Sequence, residues 1–273
     1  MKHISITPRI YEGCAAGLCL LGVILRTVCL LTQYDSEVGY FNKGWLSSAS
    51  CALYFVALAC FVAGAFTLPK GHVASGLTQI PHTVAAYLLA LVLAGFAVGM
   101  VMQWLGNRER TILLSMAVVA IAAAIYFVLS ARRKELISDG LAALGATPVL
   151  WGILALGETY VDPYTTINSP LKLALQMGFL GFMLLMTVEL RFGLGKSSPR
   201  RAVCLHAVAA FTCLVASIPV LVGFVADVKM DTLYPLYAAV LLAVGIYALL
   251  SFPRTSPTPV EGAPENSEAN EEV

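Results

Sequence analysis

Seven residues near the start of the chain, Glu12, Ala15, Cys19, Gly22, Arg26, Cys29 and Gln33, follow one another at spacings that alternate between three and four. On a helix that spacing stacks them on one face. Each is small, polar or charged, while the residues between them are mainly Leu, Val, Ile and Ala. Arg26 carries the most chemistry. It sits inside an apolar run, where an arginine near the bilayer centre costs about 3 kcal/mol, so it needs a partner or a use. Two carboxylates toward the same ends of later runs, Glu158 and Asp227, are candidate partners. A second, less pure stripe runs His206, Ala210, Cys213, Ser217, Val220, Phe224, Asp227. These features define a candidate substrate-binding set of Arg26, Gln33, Glu158, Asp227 and Ser217, with Arg26 as a fixed positive charge for a small polar or anionic solute. The plainer reading of Arg26 is a structural ion pair, or a side chain that snorkels to the interface.

The remaining polar residues suggest less. Glu12 and Glu189 fall near the ends of their runs beside Arg9 and Arg191, where interface solvation accounts for them. His206 reads as a hydrogen-bonded packing residue, and His3, His72 and His82 as loop or terminal residues. The chain has no HExxH, no paired aspartates within apolar runs, no serine-nucleophile context with a histidine partner, and no P-loop or Rossmann glycine pattern. All seven cysteines lie in apolar runs without a CxxC pair, which reads as packing rather than metal binding. No metal and no cofactor is expected, and the missing motifs argue against an enzyme.

Eight apolar runs must position these residues, at about 13–32, 46–68, 83–105, 111–131, 141–160, 171–190, 202–224 and 233–252. A spanning helix needs roughly 20 mostly apolar residues, so each run predicts one crossing. The composition agrees, at 59% hydrophobic and 12% charged. The expected fold class is all-α: a polytopic integral membrane protein, a bundle of eight transmembrane helices over residues 1–252. The first run is too long for the apolar core of a signal peptide and is expected to be an uncleaved anchor. Gly13-x-x-x-Gly17 and Gly95-x-x-x-Gly99 predict close helix approach inside the bundle. Pro148 and Pro219 predict kinks in the fifth and seventh runs, each freeing a carbonyl. A weak similarity between Gln33-Tyr34-Asp35 with Asn42 and Glu158–Asp162 with Asn168 fits two parallel four-helix halves, 1–131 and 141–252. Residues 253–273 hold four prolines, five glutamates and little apolar bulk, and are expected to form a disordered acidic cytoplasmic tail.

Charge orients the bundle. Of 17 Lys and Arg, Arg26 lies within a run; eleven fall on the side of the N-terminus, and five (Lys43, Arg108, Arg110, Lys172 and Lys229) fall on the other. Basic loops favour the cytoplasm, so both termini are expected inside, in the cytoplasmic (plasma) membrane. Tyr34, Trp45, Trp104, Tyr160, Tyr234 and Tyr237 are expected to form the outer aromatic belt. The net charge of +1 offers no field for nucleic acid. The expected partners are the lipid bilayer, a small polar or anionic solute, and a protein at the cytoplasmic face. Two functions follow: transport or permeation of that solute, or a non-catalytic sensor or assembly subunit working through inner loops and tail. Topology is directly testable. A reporter active only in the cytoplasm should be active when fused after Lys134 and silent after Asp162. The reverse pattern, or equal activity, rejects this orientation.

Overall fold

The computed structural model describes residues 8–42, 44–68, 73–74, 80–131, 138–161, 169–194, 198–252 and 255–256. Helices dominate: α1 (Pro8–Gln33), α2 (Trp45–Thr67), α3 (Ile80–Gly106), α4 (Thr111–Ala131), α5 (Asp139–Leu144), α6 (Ala146–Val161), α7 (Pro170–Gly193), α8 (Pro199–Val225) and α9 (Tyr234–Leu250). Among the described residues seven segments are long and apolar enough to cross a membrane, with Asp139–Val161 counted as one. The eighth apolar run forms α9, which has 17 residues and is therefore about 25 Å long. Two antiparallel ladders complete the described chain. β1 (Tyr34–Asp35) pairs with β2 (Tyr40–Phe41), and β3 (Val73–Ala74) pairs with β4 (Thr255–Ser256). The second ladder ties Thr255 and Ser256, the only described residues of the expected tail, to the segment between α2 and α3.

Local chemistry explains where helices start, bend and stop. α3, α7, α8 and α9 each carry a proline in the first turn, where the missing N–H has no intrahelical partner to lose. Between α5 and α6, Pro148 cannot donate to the carbonyl of Leu144. The hydroxyl of Thr147 donates to that oxygen instead, at 2.7 Å. α8 runs unbroken through Pro219. It ends in a Schellman turn: the amide of Val228 donates to the carbonyl of Gly223 at 2.9 Å, and that of Asp227 to Phe224 at 3.2 Å. Asp227 holds the left-handed position, at φ 58°, a conformation that short polar side chains tolerate better than most.

α8 is the hub, packing along α7, α9, α1 and α2. α9 is inserted among α3, α7 and α8, and the chain of contacts closes through α3–α4, α4–α6 and α6–α7. α7 packs along α8, whereas α2 and α3, their counterparts in a four-plus-four arrangement, do not pack along each other. The start of α1 and the end of α9 lie at one face of the bundle, where the rings of Tyr11 and Phe252 are 6.3 Å apart. This is called the terminal face below, and its opposite the hairpin face.

The glycines that permit this packing are not those of the two expected motifs. A Cβ on Gly13, Gly17 or Gly95 would meet nothing within 4 Å, so these residues face outward. Only Gly99 of the four is closely packed, against Leu236. The reason lies on α1 itself: the inward face belongs to the stripe through Ala15, Cys19 and Gly22, and Gly13 and Gly17 lie off it. Close contact occurs instead at Gly22 against Phe211 and Val215, at Gly178 against Leu241, at Gly181 against Thr212, and at Gly245 against Leu214. A leucine at Gly178, where a Cβ already comes within 2.7 Å of Leu241, should overpack the α7–α9 contact by about 1–3 kcal/mol. Gly178→Leu should therefore lower the detergent melting temperature, while Gly95→Leu should leave it unchanged.

Candidate functional site

Four helix ends converge at the hairpin face. Glu158 comes from the last turn of α6, Arg110 immediately precedes α4, Tyr237 lies in the first turns of α9, and Lys172 in the first turn of α7. Glu158 is buried inside the bundle. One carboxylate oxygen accepts a hydrogen bond from the Tyr237 hydroxyl at 2.8 Å, and the other lies 3.8 Å from the Arg110 guanidinium. Tyr237 and Lys172 are fully buried. Beneath this cluster the interior is aromatic. Trp151 makes edge contacts with Phe96, Phe179 and Phe182, and Phe179 touches Tyr237.

This arrangement corrects several expectations. Arg26 does not pair with Glu158 or Asp227. Its guanidinium donates to the carbonyl of Pro170 at 2.7 Å and lies 4.6 Å from the centre of the Phe41 ring. Among the described residues no carboxylate lies within ion-pair distance of it. The cause is helix placement, since α1 packs on α2 and α8, while Glu158 belongs to α6, which packs on α4 and α7. A backbone carbonyl plus a ring face compensates a half-buried guanidinium without a counter-charge. Asp227 is exposed in the turn after α8. Gln33 is half-buried; its side-chain oxygen accepts from the Cys29 thiol at 3.6 Å, and its amide occupies the space that a side chain at Gly44 would need. Ser217 is fully buried, with its hydroxyl 3.4 Å from the carbonyl of Leu214 in its own helix. The five candidate residues therefore do not form one constellation.

In the sequence Arg110 and Lys172 count among the outer-side basic residues, and Tyr234 and Tyr237 among the expected belt aromatics. All four turn inward: Lys172, Tyr234 and Tyr237 are buried, and Arg110 keeps 25% side-chain exposure beside Glu158. Trp45 and Tyr160 are exposed as a belt requires.

A second polar pair lies at the terminal face. His206 on α8 places Nε2 2.8 Å from Glu189 Oε1 on α7, and Nδ1 2.7 Å from the carbonyl of Ala202. Both residues are buried. Because a carbonyl can only accept, Nδ1 must carry hydrogen, and a second proton must lie between Nε2 and Oε1. The pair is therefore a buried histidine–carboxylate dyad, where separate solvation and packing roles had been expected. His82, expected in a loop, lies in the first turn of α3, is buried, and is 3.1 Å from the Tyr247 hydroxyl. The partial signal in the sequence was two ionisable residues near the joined ends of consecutive apolar runs. Lys172 and Glu189 stand 17 residues apart on α7, about 25 Å along its axis, with fully buried Phe179 and Phe182 between them. Among the described residues no three His, Cys, Asp or Glu side chains converge as metal ligands would.

No family profile, no curated protein and no solved structure matches this chain.

Double-mutant cycles distinguish the observed partners from the expected ones. Arg110→Ala leaves a buried carboxylate with less compensation and should cost about 1–3 kcal/mol. Combined with Glu158→Gln, the two effects should be clearly less than additive. Arg26→Ala and Glu158→Gln should instead add to within about 0.5 kcal/mol, as independent sites do. Strong coupling between Arg26 and Glu158 in unfolding experiments would contradict this geometry.

Proposed function

We propose that the protein is a transport or permeation protein for a small polar or anionic solute. In this reading it crosses the cytoplasmic membrane eight times, with the terminal face inside. One observation carries the proposal: Glu158, Lys172, Glu189 and His206, all within apolar helices, are buried inside the bundle. Ionisable groups in membrane helices are costly, and those that persist face the interior and mark substrate or ion pathways. Their placement toward both ends of α7 suits a path between α6, α7, α8 and α9. The Glu158–Arg110–Tyr237 cluster would lie at its outer mouth, flanked by Arg26 and Gln33. Cys213 and Ser217 would lie deeper, and the Glu189–His206 dyad at the inner end. The aromatic layer of Trp151, Phe179 and Phe182 would hold this conformation shut. The break between α5 and α6, where Thr147 replaces the bond lost to Pro148, is the natural place for α6 to move. Counting α9 as the eighth crossing is supported by its burial on nearly all sides, since a helix surrounded by protein need not match the bilayer thickness itself.

The alternative is a non-catalytic sensor or assembly subunit that binds partners through its cytoplasmic side. Its support is the close fit of Gly22 against Phe211 and Val215, with Cys19 and Cys213 buried. That fit makes the α1 stripe a dry packing seam.

Purified protein in liposomes decides between them. Transport requires uptake of at least one small anion or polar solute, reduced about tenfold or more by Glu158→Gln, the scale of a lost charged contact. It also requires labelling of Cys213 by a thiol reagent in intact membranes during turnover. If a broad solute screen yields neither uptake nor thermal stabilisation, and Cys213 stays unlabelled, the assembly reading replaces it.

A further inference from the structure

We propose that the terminal face carries a binding site for an anionic phospholipid, in the groove between the end of α2 and the start of α8. A cavity of about 400 Å³ lies there. One part of its wall is apolar and turned away from the bundle: Val62 and Phe66, which are 48% and 77% exposed, with Leu205 of α8. The other part is cationic, formed by Arg200 and Arg201 in the first turn of α8, and among the described residues no acidic side chain lines it. Arg200 donates through Nη2 to the carbonyl of Leu68, the residue that caps α2, while its Nε is buried without a partner. Among the described residues neither arginine is ion-paired with a carboxylate. The first-turn amides of α8 add to the same field, because Ser198 at the cap accepts no hydrogen bond from them.

The groove is therefore amphipathic along its length, and so must be its occupant. A free phosphate would use the arginines and leave the apolar wall unfilled. A neutral lipid would fill the wall and leave the arginines without a counter-charge. An anionic phospholipid meets both demands, with its phosphate against Arg200 and Arg201 and an acyl chain along Val62 and Phe66. The bilayer supplies such lipid at this depth, where α2 ends and α8 begins. Basic pockets between spanning helices are a recurrent way of holding acidic headgroups. The inference is independent of whether the bundle transports a solute.

The test uses the full chain in detergent, with dioleoylphosphatidylglycerol and dioleoylphosphatidylcholine as probes. Retained lipid is read by native mass spectrometry, and thermal stability is followed in parallel. The parent should retain phosphatidylglycerol about fivefold in preference to phosphatidylcholine, the order expected of one basic side chain against an acidic headgroup. Arg201→Gln removes one exposed charge, and Val62→Trp fills the groove without changing charge. Both should bring the preference close to parity. Equal retention of the two lipids by the parent overturns the proposal. So does an unchanged preference in Val62→Trp, which would assign it to surface charge alone. Protection by inorganic phosphate equal to that by phosphatidylglycerol would also overturn it in favour of a simple anion site. If Val62→Trp is itself unstable in phosphatidylcholine, Arg201→Gln alone decides.

Discussion

Within a bilayer there is no water to take up a polar group that the protein leaves unsatisfied, and each such group costs several kcal/mol. Much of this structure follows from that constraint. The Leu144 carbonyl freed by Pro148 is met by the hydroxyl of Thr147. The guanidinium of Arg26 is met by the carbonyl of Pro170 and the ring of Phe41. Glu158 is met by a tyrosine and an arginine, and Glu189 by a histidine. Only at Thr147, three residues from Leu144, is the partner close in sequence. Helix ends are consequently arranged around polar side chains, and the apolar surfaces accommodate the arrangement.

The same constraint accounts for one of the five basic residues on the hairpin side. Arg110 lies on the side of the bundle that is otherwise poor in basic residues. It stands there because a buried carboxylate on α6 needs a cation, and the short connection before α4 delivers one. The residue belongs to the interior chemistry rather than to the membrane-orienting loops.

Burial is distributed unevenly, and that has a structural consequence. α8 and α9 are largely enclosed, whereas α1 and α2 present broad apolar faces, with Leu20 and Phe55 well exposed. The hydroxyl of Tyr11 donates to the Phe61 carbonyl at 2.9 Å and joins α1 to α2, while the outer pair is held to α8 by Gly22 and the rings of Tyr54 and Phe61 against Phe211, and by Arg200 reaching the end of α2. A pair attached in this way leaves a groove at its edge, and the arginines of α8 stand at the end of that groove. Most of the buried ionisable groups lie on helices packed around α8 and α9: His82 on α3, Glu158 on α6, and Lys172 and Glu189 on α7, with His206 on α8 itself. The outer helices carry the lipid-facing surface and, on their inner side, the polar stripe of α1.

How much was legible in the amino-acid sequence differs by kind. Apolar length placed the helices, because a run of that length in so hydrophobic a chain has few alternatives to a spanning helix; the boundaries of α2 and α4 agree with their runs to within a residue. The three-and-four spacing on α1 identified its inward face, since Ala15, Cys19, Gly22 and Cys29 are all buried. Pro148 signalled a carbonyl left without its helical donor, and the neighbouring Thr147 hydroxyl meets it beside the break between α5 and α6. Partners across helices were not legible. Spacing along one helix fixes which face a residue occupies, but not which helix that face meets. Arg26 therefore suggested Glu158 and found Pro170, and Glu189 and His206 gave no sign of each other. The motif glycines failed for the same reason, because Gly13 and Gly95 have the spacing of contact residues but lie on faces that meet no neighbour. What the sequence by itself determined was the set of helices, their polarity patterns and the carbonyl left free by Pro148, all governed by interactions over a few residues. Pairing and burial of charge were decided only when α8 and α9 took the centre, because a contact between distant residues depends on the packing of every helix between them.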